Sequence, residues 1–188
     1  MTINRKHTFA LAALLGVVTL GCQRAAPPTQ PEKKGNGGAA AAAGLSRAKH
    51  LLGEEPKGAQ HVFALRKQAA DAKDGEEIAV VGRIGGSTKP FTGRASFTIV
   101  DASLKPCNEL EGDTCTSPWD YCCEPPENLA RATLLVKIVD ERGKTLAEDA
   151  ASTLGLKPLQ TVVVRGIVQK DDKGSITSVH ANGVFVAR

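Results

Sequence analysis

Residues 159–186 read Leu159-Gln160-Thr161-Val162-Val163-Val164-Arg165-Gly166-Ile167-Val168-Gln169-Lys170-Asp171-Asp172-Lys173-Gly174-Ser175-Ile176-Thr177-Ser178-Val179-His180-Ala181-Asn182-Gly183-Val184-Phe185-Val186. Two runs rich in β-branched residues flank Asp171-Asp172-Lys173-Gly174, a strong hairpin turn. In the first arm, 159–169, Val162, Val164 and Val168 alternate with the period of a strand. The second arm, 175–186, carries Asn182-Gly183 in its interior, where a bulge is expected.

Upstream of the hairpin, residues 145–154 place Leu146, Ala150 and Leu154 on one face of a short helix, and 141–144 (Glu-Arg-Gly-Lys) is a turn. Residues 131–140 read as a strand. So do residues 94–100, with Phe97 and Ile99 on one face. Residues 77–84 put Ile78, Val80 and Ile84 on one face and Arg83 on the other. Gly85-Gly86-Ser87 ends that strand, and 88–93, which contains Pro90, is a loop. Before it, residues 59–73 predict a helix from the spacing of Val62, Phe63, Arg66, Ala69, Ala70 and Lys73, bounded by Pro56 and Gly58 ahead and Gly75 behind. A weaker helical piece spans 46–52. His50 and His61 in this region are read as solvent-facing polar positions, with metal ligation as the less favoured role.

The order is therefore helix, three strands, short helix, two strands. It resembles the OB-fold, a five-stranded Greek-key barrel with a helix between its third and fourth strands. The residues that carry the resemblance are Val80-Val81-Gly82-Arg83-Ile84, Phe97-Thr98-Ile99-Val100-Asp101, and 159–167 with the hairpin that follows. They look like the β-x-Gly-x-β opening and the final hairpin of OB domains of the anticodon-binding type. The resemblance covers residues 76–188. It implies an all-β domain: a small OB-fold-like barrel preceded by a helical segment, 45–75. A departure from the pattern is a Cys-rich insertion, 103–129, between the second and third strands. Such a likeness bears on fold, since one fold hosts many functions.

The insertion holds Cys107, Cys115, Cys122 and Cys123, which are all the cysteines except Cys22, together with the only Trp (Trp119) and the only Tyr (Tyr121). Three readings follow. In the preferred one, four cysteines in an exported chain form two disulfides, Cys107–Cys122 with Cys115–Cys123 or Cys107–Cys123 with Cys115–Cys122; a bond between the adjacent Cys122 and Cys123 is strained. Each bridge is expected to contribute about 2–3 kcal/mol. In the second, the thiolates hold zinc or copper, with Asp113, Asp120 or Glu124 nearby, although the spacing lacks the short knuckles of ordinary zinc sites. The third is thiol redox chemistry, disfavoured because no Cys-x-x-Cys is present and Asp120 and Glu124 raise thiol pKa values. Trp119 and Tyr121 are candidates for a recognition surface; the preferred alternative is that they cover the bridges and close one end of the barrel. Because the second strand runs back from the first hairpin loop, the insertion is expected at the end of the barrel opposite residues 85–93.

At the N-terminus, Arg5-Lys6-His7 precedes an apolar run over 9–20 that is too short to span a bilayer and fits a signal core. It ends in Thr19-Leu20-Gly21-Cys22, which resembles the lipobox of bacterial lipoproteins and implies lipidation at Cys22, with Thr19 departing from the usual Leu. Residues 1–22 are thus expected to be a lipoprotein signal peptide. Residues 23–44, rich in Ala, Pro and Gly, are expected to be a disordered tether reaching about 25 Å. The whole chain also looks like uncharacterised bacterial lipoproteins with a Thr/Ser-Pro-Trp-Asp-Tyr-Cys-Cys segment, a likeness that implies no particular activity.

Of the charged groups, residues 76–188 carry 13 basic and 15 acidic, a net −2, whereas residues 1–75 carry 11 basic and 5 acidic, a net +6. A mildly acidic domain is a poor match for phosphate-rich nucleic acid, which makes a nucleic-acid partner unlikely. No Gly-x-Ser-x-Gly, His-Glu-x-x-His or phosphate loop is present, and no catalytic residue is assigned. Lys89, Arg94, Arg165 and Lys170 are candidates for lining a groove on the barrel. The expectation is a non-catalytic, lipid-anchored binding or scaffold module of the bacterial cell envelope, facing the periplasm or exterior. It would be held by the membrane through its lipid, with an envelope protein or glycan as partner and no cofactor. The alternative is a metal-handling (zinc or copper) or thiol-redox lipoprotein.

Overall fold

The computed structural model describes residues 44–187. The expected signal peptide, lipidated Cys22 and nearly all of the tether lie outside the described residues. Six strands form one sheet: β1 (Gln60–His61), β2 (Glu77–Ile84), β3 (Ser96–Val100), β4 (Thr133–Ile138), β5 (Thr161–Lys170) and β6 (Ile176–Val186). The sheet order is β1-β2-β3-β4-β6-β5, and β5 pairs back onto β2, so β2 to β6 close a five-stranded barrel. The β4–β6 pairing is parallel and the other barrel pairings are antiparallel, which is the OB-like connectivity.

The barrel closes because β2 is long enough to serve several neighbours. Residues 77–83 pair with β5, while Arg83 and Ile84 pair with Val100 and Ile99 of β3. Two-residue β1 runs parallel along β2 at Val80 and Val81. Alternation puts Ile78, Val80 and Ile84 inside, where they meet Phe97 and Ile99 of β3, Leu134, Val136 and Ile138 of β4, and Val162, Val164 and Val168 of β5. In β6 the core members are Ile176, Val179, Ala181 and Val184. The two steps of three in that series each cross a place where the β5–β6 register shifts, one of them at the expected Asn182. A bulge inserts one residue and so flips which parity faces inward.

The helices are shorter than the spacing predicts. The piece expected over 46–52 is α1 (Arg47–His50), begun by the Ser46 side chain accepting the Lys49 N–H; His50 is buried rather than solvent-facing. The helix expected over 59–73 is α2 (Val62–Lys67), with Val62 and Leu65 as its buried residues. It starts late because Gln60 and His61 are taken up in the sheet as β1. It stops early because the Lys73 N–H goes to the Glu76 carboxylate, and the carbonyls of Ala69 and Ala72 are capped by the Lys170 ammonium at 2.6 and 2.8 Å. A helix the sequence reading missed, α3 (Pro126–Ala132), closes the insertion and displaces the expected start of β4. Its signal was present: Pro in the first turn with Glu127 behind it suits a helix N-terminus. The helix between β4 and β5 is α4 (Ala150–Leu154), capped by Asp149 and ended by Gly155; it inserts Ala150 and Leu154 into the core.

Gly82 sits where β2 passes close to the end of β3. A Cβ there would lie 2.8 Å from the Val100 carbonyl oxygen and 3.0 Å from the Ile99 side chain. Gly82→Ala is expected to destabilise the barrel by about 1–3 kcal/mol, read as a lower denaturation midpoint at unchanged m-value; an unchanged midpoint would show that this crossing has slack.

Candidate metal centre

The insertion is placed by one buried carboxylate at the end of β3. Asp101 is only 1% exposed. Its Oδ2 accepts the Phe63 N–H of α2 at 2.8 Å; its Oδ1 accepts the backbone N–H and hydroxyl of Ser103 at 3.0 and 2.7 Å and lies 3.5 Å from His61 Nδ1. Burial alone would raise its pKa. The donors from Phe63 and Ser103, with His61 beside them, outweigh that and hold it below the ordinary carboxylate range.

From Asp101 the chain enters a second, smaller core in which Val100, Tyr121 and Ala132 are buried and Phe63, Leu104 and Leu129 pack around them. Tyr121 has a left-handed backbone (φ 59°) and is fully buried, so it closes the barrel flank and is not a contact surface. Burial raises its phenol pKa, with the Arg83 guanidinium opposing. Trp119 is half-buried. Its carbonyl accepts the Gly86 N–H at 2.8 Å and its indole N–H donates to the Thr88 carbonyl at 3.2 Å.

These contacts overturn the expected separation of the insertion from the first hairpin loop. Arg83 pairs with Val100, so β3 ends beside the end of β2, and the insertion emerges next to Gly85–Thr88 and folds onto it. The approach is close: a Cβ on Gly85 would stand 2.5 Å from the Trp119 carbonyl oxygen and 2.9 Å from the Tyr121 ring. Arg83 also reaches Glu109 across the same junction at 2.9 Å.

Two single-turn 3-10 helices, Cys107–Glu109 and Pro118–Asp120, then bring the cysteines together. Cys107 is buried, Cys115 half-buried, and Cys122 and Cys123 exposed; all four are free thiols. Cys107 Sγ lies 3.6 Å from Cys122 Sγ, and Cys115 Sγ lies 3.7 Å from Cys122 Sγ. A disulfide needs about 2.05 Å, so neither expected pairing is formed here. The two closest contacts also share Cys122 and could not both become bonds.

The same separations match the edge of a tetrahedron of sulfurs around zinc, about 3.8 Å for Zn–S bonds of about 2.3 Å. Cys107, Cys115, Cys122 and an oxygen of Asp120 all lie within 4.8 Å of one another; Cys107, Asp113 and Cys123 form a second such set, so Cys107 is common to both. Each carboxylate is oriented by the chain it serves. Asp120 Oδ1 accepts the Cys122 N–H at 2.9 Å, and Asp113 Oδ2 accepts the Cys115 N–H at 3.0 Å.

Cys107 gives up its proton more readily than a free thiol. Burial would raise its pKa, but the backbone N–H of Cys123 and the thiols of Cys122 and Cys123 donate to its sulfur and bring it below the ordinary thiol value. Cys122 is correspondingly pushed up, first by its bond to Cys107 and then by Cys115, and Cys123 is pushed up by Cys107. A buried thiol of lowered pKa beside other thiols and carboxylates is a donor set in which a cation can take the place of the thiol protons.

The other candidate residues do not assemble into one site. Lys89 is exposed on the first hairpin loop, Arg94 donates to the Thr145 carbonyl at 2.7 Å, and Arg165 is held by Asn182 at 2.9 Å with Glu77 at 3.9 Å. Lys170 is the exception; it lines a separate groove beside α2.

No family model matches the chain, and no curated protein matches it in sequence. Among solved structures, it is similar to the hypothetical protein ygiW from E. coli, at 15% identity over 64% of this chain and 85% of that one, with a TM-score of 0.34.

Because the Asp101 pKa is depressed in the fold, its carboxylate contributes stability that is fully present above the unfolded-state pKa and is lost as pH falls through the lower folded-state value. Asp101→Asn is expected to cost about 1–3 kcal/mol at neutral pH, with the difference from wild type shrinking below about pH 4. Urea titrations at several pH values check this; a difference independent of pH would show that the charge is not what matters.

Proposed function

We propose that this chain is a non-catalytic, lipid-anchored binding and scaffold module of the bacterial cell envelope, in which an OB-like barrel carries a cysteine knob that holds a thiophilic cation, zinc or copper(I). The observation that carries the metal reading is the convergence of Cys107, Cys115, Cys122 and Asp120 within 4.8 Å. Soft thiolates select d10 ions of this kind, and three sulfurs with one oxygen make a four-coordinate set. Cys107 supplies the buried ligand that joins knob to barrel, while Cys122 leaves the set open to solvent for loading. The lipobox-like Thr19-Leu20-Gly21-Cys22 supports the anchor and the envelope address. The metal's part is structural. It fixes a Pro-rich insertion against Gly85–Thr88 and leaves the barrel faces for a partner, an envelope protein or glycan.

A second reading is favoured by the same export signal together with the 3.6 Å approach of Cys107 to Cys122: exported thiols oxidise, and the knob would then be closed by two disulfides. Protein purified without reductant distinguishes the two. The metal reading predicts about one equivalent of zinc or copper per chain, loss of that metal in Cys107→Ala, and its retention in Cys123→Ala. It also predicts that chelation shifts the fluorescence of the single tryptophan, Trp119, while far-ultraviolet circular dichroism of the barrel persists. A metal-free chain whose intact mass shows the deficit of two disulfides would overturn it.

A further inference from the structure

A groove of about 1010 Å³ lies between α2, α3 and the β5–β6 hairpin, and none of the four clustered cysteines lines it. Five cations from three elements line it: Arg66 and Lys67 from α2, Arg131 from α3, and Lys170 and Lys173 from the hairpin. Among the described residues no carboxylate lines it. Residues 44–188, which hold the helices and the barrel, carry 19 basic and 19 acidic groups, so five cations with no carboxylate among the described lining residues exceed what composition alone would place there.

Two of the cations are fixed parts of the wall. Arg66 donates to the carbonyls of Ile176, at 2.8 Å, and Thr133, at 2.5 Å, and Lys170 donates to Ala69 and Ala72. Carbonyls orient these heads without neutralising them, and among the described residues neither is paired with a carboxylate. Arg66 Nε is buried and has no hydrogen-bond partner among the described residues. The nearby hairpin carboxylate, Asp171, is used by the turn itself, where it accepts the N–H groups of Lys173 and Ser175 at 3.0 and 2.8 Å. Arg131 lies over the Phe63 ring at 5.9 Å, which holds its guanidinium at the rim. Lys67 and Lys173 are exposed and make no ion pair among the described residues. Half-buried Phe63, with Ala69 and Ala70 of the segment after α2, supplies apolar lining.

We infer that this groove binds a phosphate-bearing amphiphile. Its phosphate would be seated among Arg131, Lys67 and Lys173, in the field of the fixed Arg66 and Lys170, with its apolar portion against Phe63 and Ala70. A concave site of one sign with low-dielectric walls focuses the field on an anion, and guanidinium matches phosphate oxygens in pairs. The inference is independent of the metal knob and of the lipid anchor.

The test uses the purified full-length mature chain and calorimetric titration with three probes: dihexanoyl phosphatidic acid below its micelle concentration, inorganic phosphate, and dihexanoyl phosphatidylcholine. The phosphatidic acid is expected to bind and to weaken as salt rises. Inorganic phosphate is expected to bind at least tenfold more weakly, and the zwitterionic lipid not measurably. The double variant Arg131→Gln/Lys173→Gln, which spares the wall-forming Arg66 and Lys170, is expected to lose at least tenfold in affinity, while Lys89→Gln, at a position that does not line the groove, leaves it unchanged. Circular dichroism of the double variant checks that it folds. Failure of phosphatidic acid to bind, equal binding by inorganic phosphate, equal loss in Lys89→Gln, or tighter competition by a single-stranded oligonucleotide would each overturn the assignment. A metal-free or disulfide-bonded knob would not.

Discussion

The buried carboxylate of Asp101 is the junction on which the rest of the domain depends. It ends β3, receives the first N–H groups of α2 and of the insertion, and through its own N–H bonds the Ala132 carbonyl at 2.9 Å where α3 meets β4. Barrel, helical flank and cysteine knob are thus referenced to one residue with two oxygens and several donors. Such a group is stable when buried only because its lone pairs are taken. Its effect is positional. With the exit of the insertion fixed beside Gly85 and Gly86, Tyr121 is buried in the smaller core beside Val100 and Ala132.

The barrel was largely legible in the sequence because period-two patterning and turn chemistry are local signals. Residues 77–84 were read with the bounds that β2 has, and Asn182-Gly183 announced the bulge that keeps β6 facing inward. Helix lengths were less legible, because they are decided by partners far along the chain. Lys170, about a hundred positions from α2, takes the carbonyls at its end, and β2 recruits Gln60 and His61 away from its beginning. α3 was missed because the Pro-rich insertion reads as loop when its Pro-Pro-Glu is not taken as a helix start. The side on which the insertion lies was misjudged because strand direction alone does not give register, and here the end of β3 pairs with the end of β2.

The candidate site was legible as a cluster but not as a geometry. Counting cysteines marks residues 107–123 as a unit, yet two disulfides and a thiolate centre use the same count. What separates them is three-dimensional. Cys107 is common to both sets of clustered ligand atoms, and Asp120 stands with Cys107, Cys115 and Cys122 within 4.8 Å. The cationic groove was invisible for a related reason. Its five charges come from three elements separated by long stretches of sequence, within residues 44–188, whose basic and acidic groups balance.

The most direct measurement of the central claim is X-ray absorption on the purified chain, at the zinc and copper edges and at the sulfur edge. The account predicts a metal whose first shell holds about three sulfurs near 2.3 Å together with a lighter oxygen ligand. Absence of both metals, with a sulfur spectrum showing S–S bonds near about 2.05 Å, would contradict it and make the knob a disulfide-closed one.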